Sequence, residues 1–162
     1  MNEIIILGNG NSRLNHQDFL VNMNLKIWVS NLAFKEHLIL PRIDLVGTVH
    51  NFVLEEAIKY KKENNLNYEI LYMNIIPELK KDYNIFSHYL GYSSGTELVN
   101  EALLRGYDKL YLLGFDSLNG KDDCLYTGKV VIKNFVEQMR IIKEKNKLTQ
   151  VIYNDDIFIL SK

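Results

Sequence analysis

Hydrophobic residues occur along the chain in two alternating patterns, short apolar runs and longer stretches with helical spacing. Apolar runs bounded by turn residues are typical of strands buried on both faces of a parallel sheet. They lie at 3–7, 25–29, 44–51, 68–73, 107–116 and 149–154, and 157–160 is either a tail strand or an interaction segment. The alternation of strands and helices predicts a single α/β domain over residues 1–162, with a doubly wound, mostly parallel, Rossmann-like sheet.

The stretches between the runs predict the helices and loops. Amphipathic helices are expected over 52–64, from Ser94 to a stop at Gly106, and over 129–147. In the last of these, the residues expected to face the core are Val130, Ile132, Phe135, Val136, Met139, Ile141 and Ile142. Shorter segments are predicted as a helix or turn at a sheet edge (13–22), a short helix (77–81) and two loops (83–92 and 117–128).

Composition excludes several function classes. The balance of 19 basic against 20 acidic residues provides no field that would gather nucleic acid, so a nucleic-acid partner is not expected. No run of apolar residues is long enough for a membrane span, and no targeting segment is visible. The single cysteine, Cys124, fits a reducing compartment and predicts a cytoplasmic protein. The many Asn, Ile, Lys and Tyr residues suggest an AT-rich genome, bacterial or viral, including phage.

The loop after the first run is the first candidate site. Gly8, Asn9 and Gly10 allow backbone N–H groups to approach a polar ligand at the carboxyl end of a strand, which makes a nucleotide the first hypothesis. The loop does not complete the dinucleotide fingerprint, because Arg13 occupies the third glycine position, and it lacks the Gly-Lys-Ser/Thr of a P-loop. The alternative is a plain turn with Ser12 or Asn11 as the cap of the next segment.

Asparagine recurs where predicted strands end, at Asn9, Asn31 and Asn51. An asparagine side chain offers one acceptor and two donors, which suits recognition of a base or sugar edge. For one such residue a turn or a helix cap is the more common explanation, but the threefold recurrence favours a binding role.

A second candidate site lies at the predicted helix start formed by Ser93, Ser94 and Gly95. Free backbone N–H groups and hydroxyls at the positive end of a helix form an anion site. The alternative, compatible with the first, is a capping box in which Ser94 pairs with Glu97.

These motifs, taken in order with Gly114-Phe115-Asp116, resemble those of the bacterial family 42 sialyltransferases. More distantly, they resemble the wider superfamily that includes archaeal 6-hydroxymethylpterin diphosphokinase-like proteins. The resemblance implies a small glycosyltransferase that binds a cytidine nucleotide sugar and transfers its glycosyl group, with the CMP-sugar as substrate and no further cofactor. It implies a nucleotide site made of Gly8, Asn9, Gly10, Ser12, Asn31, Asn51, Ser93, Ser94 and Gly95.

The chain departs from that family in its catalytic residues. Two tyrosines and a histidine are expected after the Gly-x-Asp strand; here Leu118 falls near the first tyrosine and Tyr126 stands for the second. No histidine follows His88, so the family's general base is missing. The remaining candidates for catalysis are His50, His88, Asp116 and Tyr126, with Lys121 as a further group that closes over the phosphate.

Two other functions stay open. Asp116, Asp122 and Asp123 are acids that would hold Mg²⁺ in a nucleotide-dependent diphosphotransferase or hydrolase, although no cluster has the spacing of a dedicated metal site. The third hypothesis is a non-catalytic protein that binds or sequesters a nucleotide. In every case the expected partner is a small-molecule nucleotide or nucleotide sugar, and a homo-oligomer formed through 157–160 is left open.

Overall fold

The computed structural model describes residues 2–121, 123–126 and 132–162. Within them the chain forms one eight-stranded sheet with helices on both faces, which confirms the predicted doubly wound α/β fold. The strands are β1 (Glu3–Leu7), β2 (Ile27–Ser30), β3 (Leu45–Gly47), β4 (Glu69–Tyr72), β5 (Asn84–Ile85), β6 (Lys109–Leu113), β7 (Thr149–Tyr153) and β8 (Ile157–Ser161).

Four α-helices connect the strands: α1 (Gln17–Met23), α2 (Asn51–Glu63), α3 (Ser94–Leu104) and α4 (Ile132–Asn146). Three 3₁₀ segments, Asn11–His16, Asn31–Glu36 and Asp116–Asn119, follow the carboxyl ends of β1, β2 and β6. None of the helices in the described ranges is long and apolar enough to cross a membrane.

The strand order is β5-β4-β3-β2-β1-β6-β8-β7. Strands β1 to β6 pair in parallel with one another, and β8 is antiparallel to both β6 and β7. After β1 the chain builds strands to one side, and it then returns to place β6 on the other side. The carboxyl ends of β1 and β6 therefore form the topological switch point, where ligands bind in open α/β sheets.

The central strands are buried on both faces. Ile4 to Leu7 have no exposed surface: Ile5 and Leu7 face the core beneath α1 and α2, and Ile4 and Ile6 face the core beneath α3 and α4. This arrangement explains the unbroken apolar runs, because a strand covered on both sides needs apolar residues at every position.

Several local predictions were wrong. Residues 77–81 form turns rather than a helix, and the predicted loop 83–92 contains β5. The third strand ends at Gly47, so Asn51 begins α2 instead of ending a strand. In α4, Met139 and Ile142 are buried as expected, but Val136 and Ile141 are 41% and 37% exposed. Val130 and the side chain of Ile132 lie outside the described residues.

The predicted tail strand has a different position from the one expected. β8 is not an edge, because it lies between β6 and β7 and buries Ile157, Phe158 and Leu160. The edge strand on this side of the sheet is β7, whose five residues are all exposed.

Candidate functional site

A cavity of about 490 Å³ opens at the switch point between β1 and β6. Its wall combines the glycine-rich loop after β1, the start of the 3₁₀ segment after β2, the first turns of α2 and α3, the segment after β6 and one aromatic residue of α4. The lining residues are Gly8, Asn9, Gly10, Ser30, Asn31, Leu32, His50, Phe52, Val53, Ser93, Ser94, Gly95, Gly114, Phe115, Asp116, Ser117, Asp123, Cys124, Tyr126 and Phe135. The structure thus brings together most residues that the sequence had indicated separately.

The floor of the cavity is held by the contact between Ser12 and Asp116. Asp116 is buried and accepts hydrogen bonds from the backbone N–H of Ser12, at 3.0 Å, and from its hydroxyl. Gly10 lies against this pair, and a Cβ at Gly10 would lie 2.6 Å from each carboxylate oxygen of Asp116. Gly10 is therefore required for the close approach of the two loops.

Asn31 is fixed by two hydroxyl groups from other elements. Its Oδ1 accepts hydrogen bonds from Thr48 Oγ1, at 2.9 Å, and from Ser94 Oγ, at 2.8 Å. Both acceptor positions of the amide oxygen are thus filled, and the Nδ2 group has no partner among the described residues. Asn31 also has a positive φ of 52°, a backbone conformation that asparagine tolerates better than most residues. The Nδ2 group of Asn31 is therefore an oriented hydrogen-bond donor in the cavity lining.

Ser94 positions Asn31 instead of facing a ligand. Its hydroxyl donates to Asn31 and accepts the backbone N–H of Val49 at 3.0 Å, and the side chain is buried. Ser93 bonds to Thr96 through its hydroxyl at 2.9 Å, and its N–H donates to Gln138 at 3.0 Å. Neither hydroxyl is free to bind a phosphate on its own.

The backbone of α3 supplies the donors that these hydroxyls do not. Within the described residues, no hydrogen bond involves the N–H groups of Ser94, Gly95 or Thr96, whereas Glu97 N–H bonds to Ser93 O at 2.9 Å. The predicted capping box is absent here, because the Glu97 carboxylate accepts the N–H groups of Leu90 and Tyr92. The first turn of α3 thus offers unsatisfied donors at a helix N-terminus.

Asn9 presents an acceptor that the protein does not satisfy. Its Nδ2 donates to the carbonyl of Ser30 at 3.0 Å, which orients the amide. Its Oδ1 is buried and has no hydrogen-bond partner in the part of the chain that the structure describes. A buried polar atom without a partner carries a free-energy cost, which a ligand donor would remove.

A buried ion pair supports the loop from below. The Arg13 guanidinium is 1% exposed, donates from Nε to the carbonyl of Gly8 at 2.8 Å, and forms a bidentate pair with Glu36. The hydroxyl of Tyr126 donates to the same carboxylate. Burial raises the pKa of Tyr126 and the bond to Glu36 raises it further, so its hydroxyl stays protonated near neutral pH.

Two carboxyl groups face the cavity together. Asp123 lies beside Asp116 in the cavity lining, and its Oδ1 accepts the backbone N–H of Asn11 at 3.3 Å. Burial raises the pKa of Asp123, and the bond to Asp116 raises it further. Ser12 donates twice to Asp116, so this side of the acid pair is fixed in place.

One side of the cavity is apolar. Phe115 and Phe135 lie with their ring centroids 5.7 Å apart, and Leu32, Val53 and Phe52 add further apolar surface. His50 is exposed at the rim beside Phe52, at a centroid distance of 6.1 Å. Such a wall can stack a planar ring while the polar groups opposite it fix the orientation.

Some predicted site residues lie elsewhere. Asn51 is exposed and outside the cavity lining, and Ser12 is buried beneath it. His88 is exposed and outside the lining, and its carbonyl accepts a bond from Asn100 at 3.2 Å. Lys121 is exposed and outside the lining, and Asp122 lies outside the described residues.

The sequence did not indicate Arg13, Glu36, Thr48 or Phe135 as part of the site. Arg13 was seen only as the residue that breaks the dinucleotide fingerprint, and Phe135 only as a core residue. No local pattern could have identified Glu36 or Thr48, because both act through residues far away in the chain. The sequence indicates Asp123 only as a possible Mg²⁺ ligand.

The fit of a metal ion depends on the acid pair. No group of three or more His, Cys, Asp or Glu side chains suited to a metal was found among the described residues. Mg²⁺ commonly binds one or two carboxylates together with substrate phosphates and waters, so Asp116 and Asp123 are compatible with it.

No family model, no curated protein and no solved structure matches this chain.

Proposed function

We propose that the cavity binds a nucleotide sugar, with a cytidine nucleotide as the first candidate, and that the protein is a small cytoplasmic glycosyltransferase of the sialyltransferase-like kind. The observation that carries the proposal is the buried Oδ1 of Asn9, which has no partner among the described residues and shares the cavity with N–H groups of α3 that likewise have none there. An isolated acceptor and a cluster of donors are complementary to a ligand that has both N–H or O–H groups and an anionic group.

Each part of such a ligand has a counterpart in the cavity. The phosphate fits the first turn of α3, where helix N–H groups favour negative charge. A base or sugar hydroxyl fits between the Asn31 amide donor and the Asn9 acceptor. The apolar side formed by Phe115, Phe135 and Leu32 suits a ring system.

Among the described residues, the lining contains no lysine or arginine, and Arg13 below it is already paired with Glu36. In this part of the site a phosphate is therefore held by backbone dipoles instead of side-chain cations. This feature favours a nucleoside monophosphate such as CMP, which is the leaving group in transfer from a CMP-sugar, over the more highly charged triphosphates.

The reaction consistent with this arrangement is displacement at the anomeric carbon. The bond from that carbon to the phosphate oxygen breaks, the nucleotide leaves with the electron pair, and an acceptor hydroxyl forms the new glycosidic bond. The acceptor proton needs a base. Asp123 in its ionised form is the best-placed candidate, because it lines the cavity and its raised pKa makes its carboxylate a stronger base than an ordinary aspartate. His50 at the rim is the alternative base.

The acid pair also favours a second candidate function. If Asp116 and Asp123 bind Mg²⁺ together with nucleotide phosphates, the same cavity would serve diphosphoryl transfer or hydrolysis. The two functions differ in metal dependence. Glycosyl transfer without a metal cofactor proceeds in EDTA, and phosphoryl transfer does not.

The test is a thermal-shift panel with CMP, CDP, a CMP-sugar, UDP-sugars, ATP and GTP, each with Mg²⁺ and with EDTA. A ligand at a hundred times its dissociation constant stabilises the folded state by about 2.7 kcal/mol. We expect a shift with CMP and CMP-sugars in EDTA, and its loss in Asn31→Asp. A shift only with ATP or GTP and Mg²⁺ would replace the glycosyltransferase proposal by the phosphoryl-transfer one.

Turnover is then measured as CMP release in the presence of candidate acceptor sugars. We expect Asp123→Asn to abolish release while the CMP-induced shift is kept, with His88→Ala as the matched control outside the cavity. Undiminished release in Asp123→Asn and its loss in His50→Ala would transfer the role of base to His50. Binding with no release for any acceptor would support the third hypothesis, a nucleotide-sequestering protein.

A further inference from the structure

The two edges of the sheet differ in how they are protected. β5 closes one edge with two residues, Asn84 and Ile85. β7 closes the other with five, and its sequence Thr-Gln-Val-Ile-Tyr contains no charge and no proline. Its pairing with β8 runs without a bulge from Thr149 to Tyr153. Short length, charge, proline and bulges are the features that keep edge strands from pairing with other chains, and β7 has none of them.

Both faces of β7 are also largely exposed, with only Phe19 of α1 near Tyr153 and Lys143 of α4 bonded to Gln150 among the described residues. Thr149, Val151 and Tyr153 lie opposite Ser161, Ile159 and Ile157 of β8, on the face that carries α1. Gln150 and Ile152 lie opposite Leu160 and Phe158, on the face that carries α4. Val151, Ile152 and Tyr153 are nevertheless 57%, 51% and 49% exposed. Apolar side chains are thus exposed to solvent beside backbone N–H and C=O groups that have no partner strand among the described residues.

The charges that flank β7 have opposite signs at its two ends. Lys147 precedes the strand, Asp155 follows it, and both are exposed. Neither forms an ion pair with another described residue. A second copy of the strand, paired antiparallel about Val151, would bring the Lys147 end of each copy to the Asp155 end of the other. In the same register Thr149 stands opposite Tyr153, and Gln150 stands opposite Ile152.

From this self-complementarity we infer that β7 is the interface of a homodimer, in which two copies pair antiparallel across a two-fold axis to form one continuous sheet of sixteen strands. An axis perpendicular to the sheet keeps each face continuous, so that the exposed Val151 side chains of the two copies meet on the same side. The two flanking charge pairs form together, because the interface is isologous. The switch-point cavities lie outside the interface, so this inference is independent of the proposed function.

The test is sedimentation velocity over a concentration series that reaches about 0.1 mM. We expect the wild-type chain to reach twice the mass of 18.9 kDa. Val151→Lys places like charges opposite each other at the two-fold axis and should give a monomer. Val151→Thr, which keeps a β-branched neutral residue, should remain a dimer, and so should Leu38→Lys, a charge added at an 86% exposed residue away from β7.

A second variant tests the register without changing the strand. Lys147→Glu sets an acid near Asp155 at both ends of the interface and should raise the dimer dissociation constant roughly tenfold at low salt, with the difference shrinking in high salt. Amide hydrogen exchange adds a local measurement: the N–H groups of 149–153 should exchange more slowly in the wild-type chain than in Val151→Lys.

Three results would overturn the inference. The first is a wild-type chain that stays monomeric through the whole series. The second is a dimer that survives Val151→Lys and Lys147→Glu alike, since it would use another surface. The third is growth beyond two copies, because a closed two-fold interface leaves no further β7 edge to pair.

Discussion

The Asp116 carboxylate accepts both the backbone N–H and the hydroxyl of Ser12, a residue 104 positions earlier in the chain. This contact joins the loop after β1 to the segment after β6 across the switch point of the sheet. It gives the cavity a fixed floor and holds the Asp116 carboxylate in place.

Gly10→Ala should destabilise the fold by about 1–3 kcal/mol, the usual cost of inserting a methyl group into a packed site. The added Cβ would lie 2.6 Å from each oxygen of Asp116, which cannot swing away while Ser12 holds it. Gly10 has φ −67° and ψ 149°, values open to alanine, so the cost is steric. Chemical denaturation measures it. In an Asp116→Ala background the same change should cost clearly less; an equal cost in both backgrounds would contradict the explanation.

Asn31→Asp and Asn31→Ala should separate binding from stability. The aspartate keeps an oxygen for Thr48 and Ser94 but replaces the Nδ2 donor by an anion, so we expect a near-normal melting temperature and loss of nucleotide binding. The alanine leaves both hydroxyls without their acceptor and must adopt a positive φ, so we expect a loss of about 1–3 kcal/mol. Thermal melts with and without CMP measure both effects. Normal binding by Asn31→Asp would show that the amide donor does not contact the ligand.

Arg13→Met should reduce the free energy of unfolding by about 3 kcal/mol, because it leaves the half-buried Glu36 carboxylate without its cation and frees the carbonyl of Gly8. The matched control is Arg140→Met on the exposed surface of α4, where Arg140 pairs with Glu137 and Glu144. That change should cost less than about 1 kcal/mol. Equal losses in urea denaturation would mean that burial does not distinguish the two arginines.

Acid sensitivity should depend on Glu36. Burial acts to raise the pKa of Glu36, but the bonds from Arg13 and Tyr126 outweigh it and hold the pKa below the ordinary value of 4.5. A carboxylate with a lowered folded-state pKa contributes stability that is present above pH 4.5 and is lost as the pH falls through the folded-state value. The unfolding free energy of the wild-type chain should therefore decrease with falling pH in that range, and Glu36→Gln should flatten the slope.

Other carboxyl groups limit the size of this effect. Glu69, whose pKa is lowered by its bond to Arg105, should leave a residual slope of the same sign in Glu36→Gln. Glu97 and Asp123 have pKa values raised chiefly by burial, so their contributions run in the opposite direction and are lost as the pH rises. An unchanged slope in Glu36→Gln would show that the Arg13 pair does not shift the pKa of Glu36.

Local sequence determined the sheet and the two loops that meet at its switch point. Strands β1 and β6 are covered on both faces, so their apolar runs are unbroken and easy to identify. The glycines at 8 and 10 and the serines at 93 and 94 mark loops and a helix start in any fold. Asn51 was misplaced because β3 ends four residues earlier than the apolar pattern of 44–51 implies, and the helical hydrogen bonds begin at once.

Tertiary structure decided which polar groups remain available. The sequence predicts Ser94 as a phosphate ligand, but in the fold its hydroxyl bonds to Asn31 and Val49. The backbone N–H groups in the first turn of α3 are the donors that have no partner among the described residues. Only the fold shows that the Asn9 Oδ1 has no partner in the described part of the chain and that Arg13 pairs with Glu36. Likewise, 157–160 and 149–154 are both apolar runs in the sequence, and the strand order alone makes the second of them the edge. Sequence periodicity reports burial along one element, whereas hydrogen-bond partners come from elements that are distant in the chain.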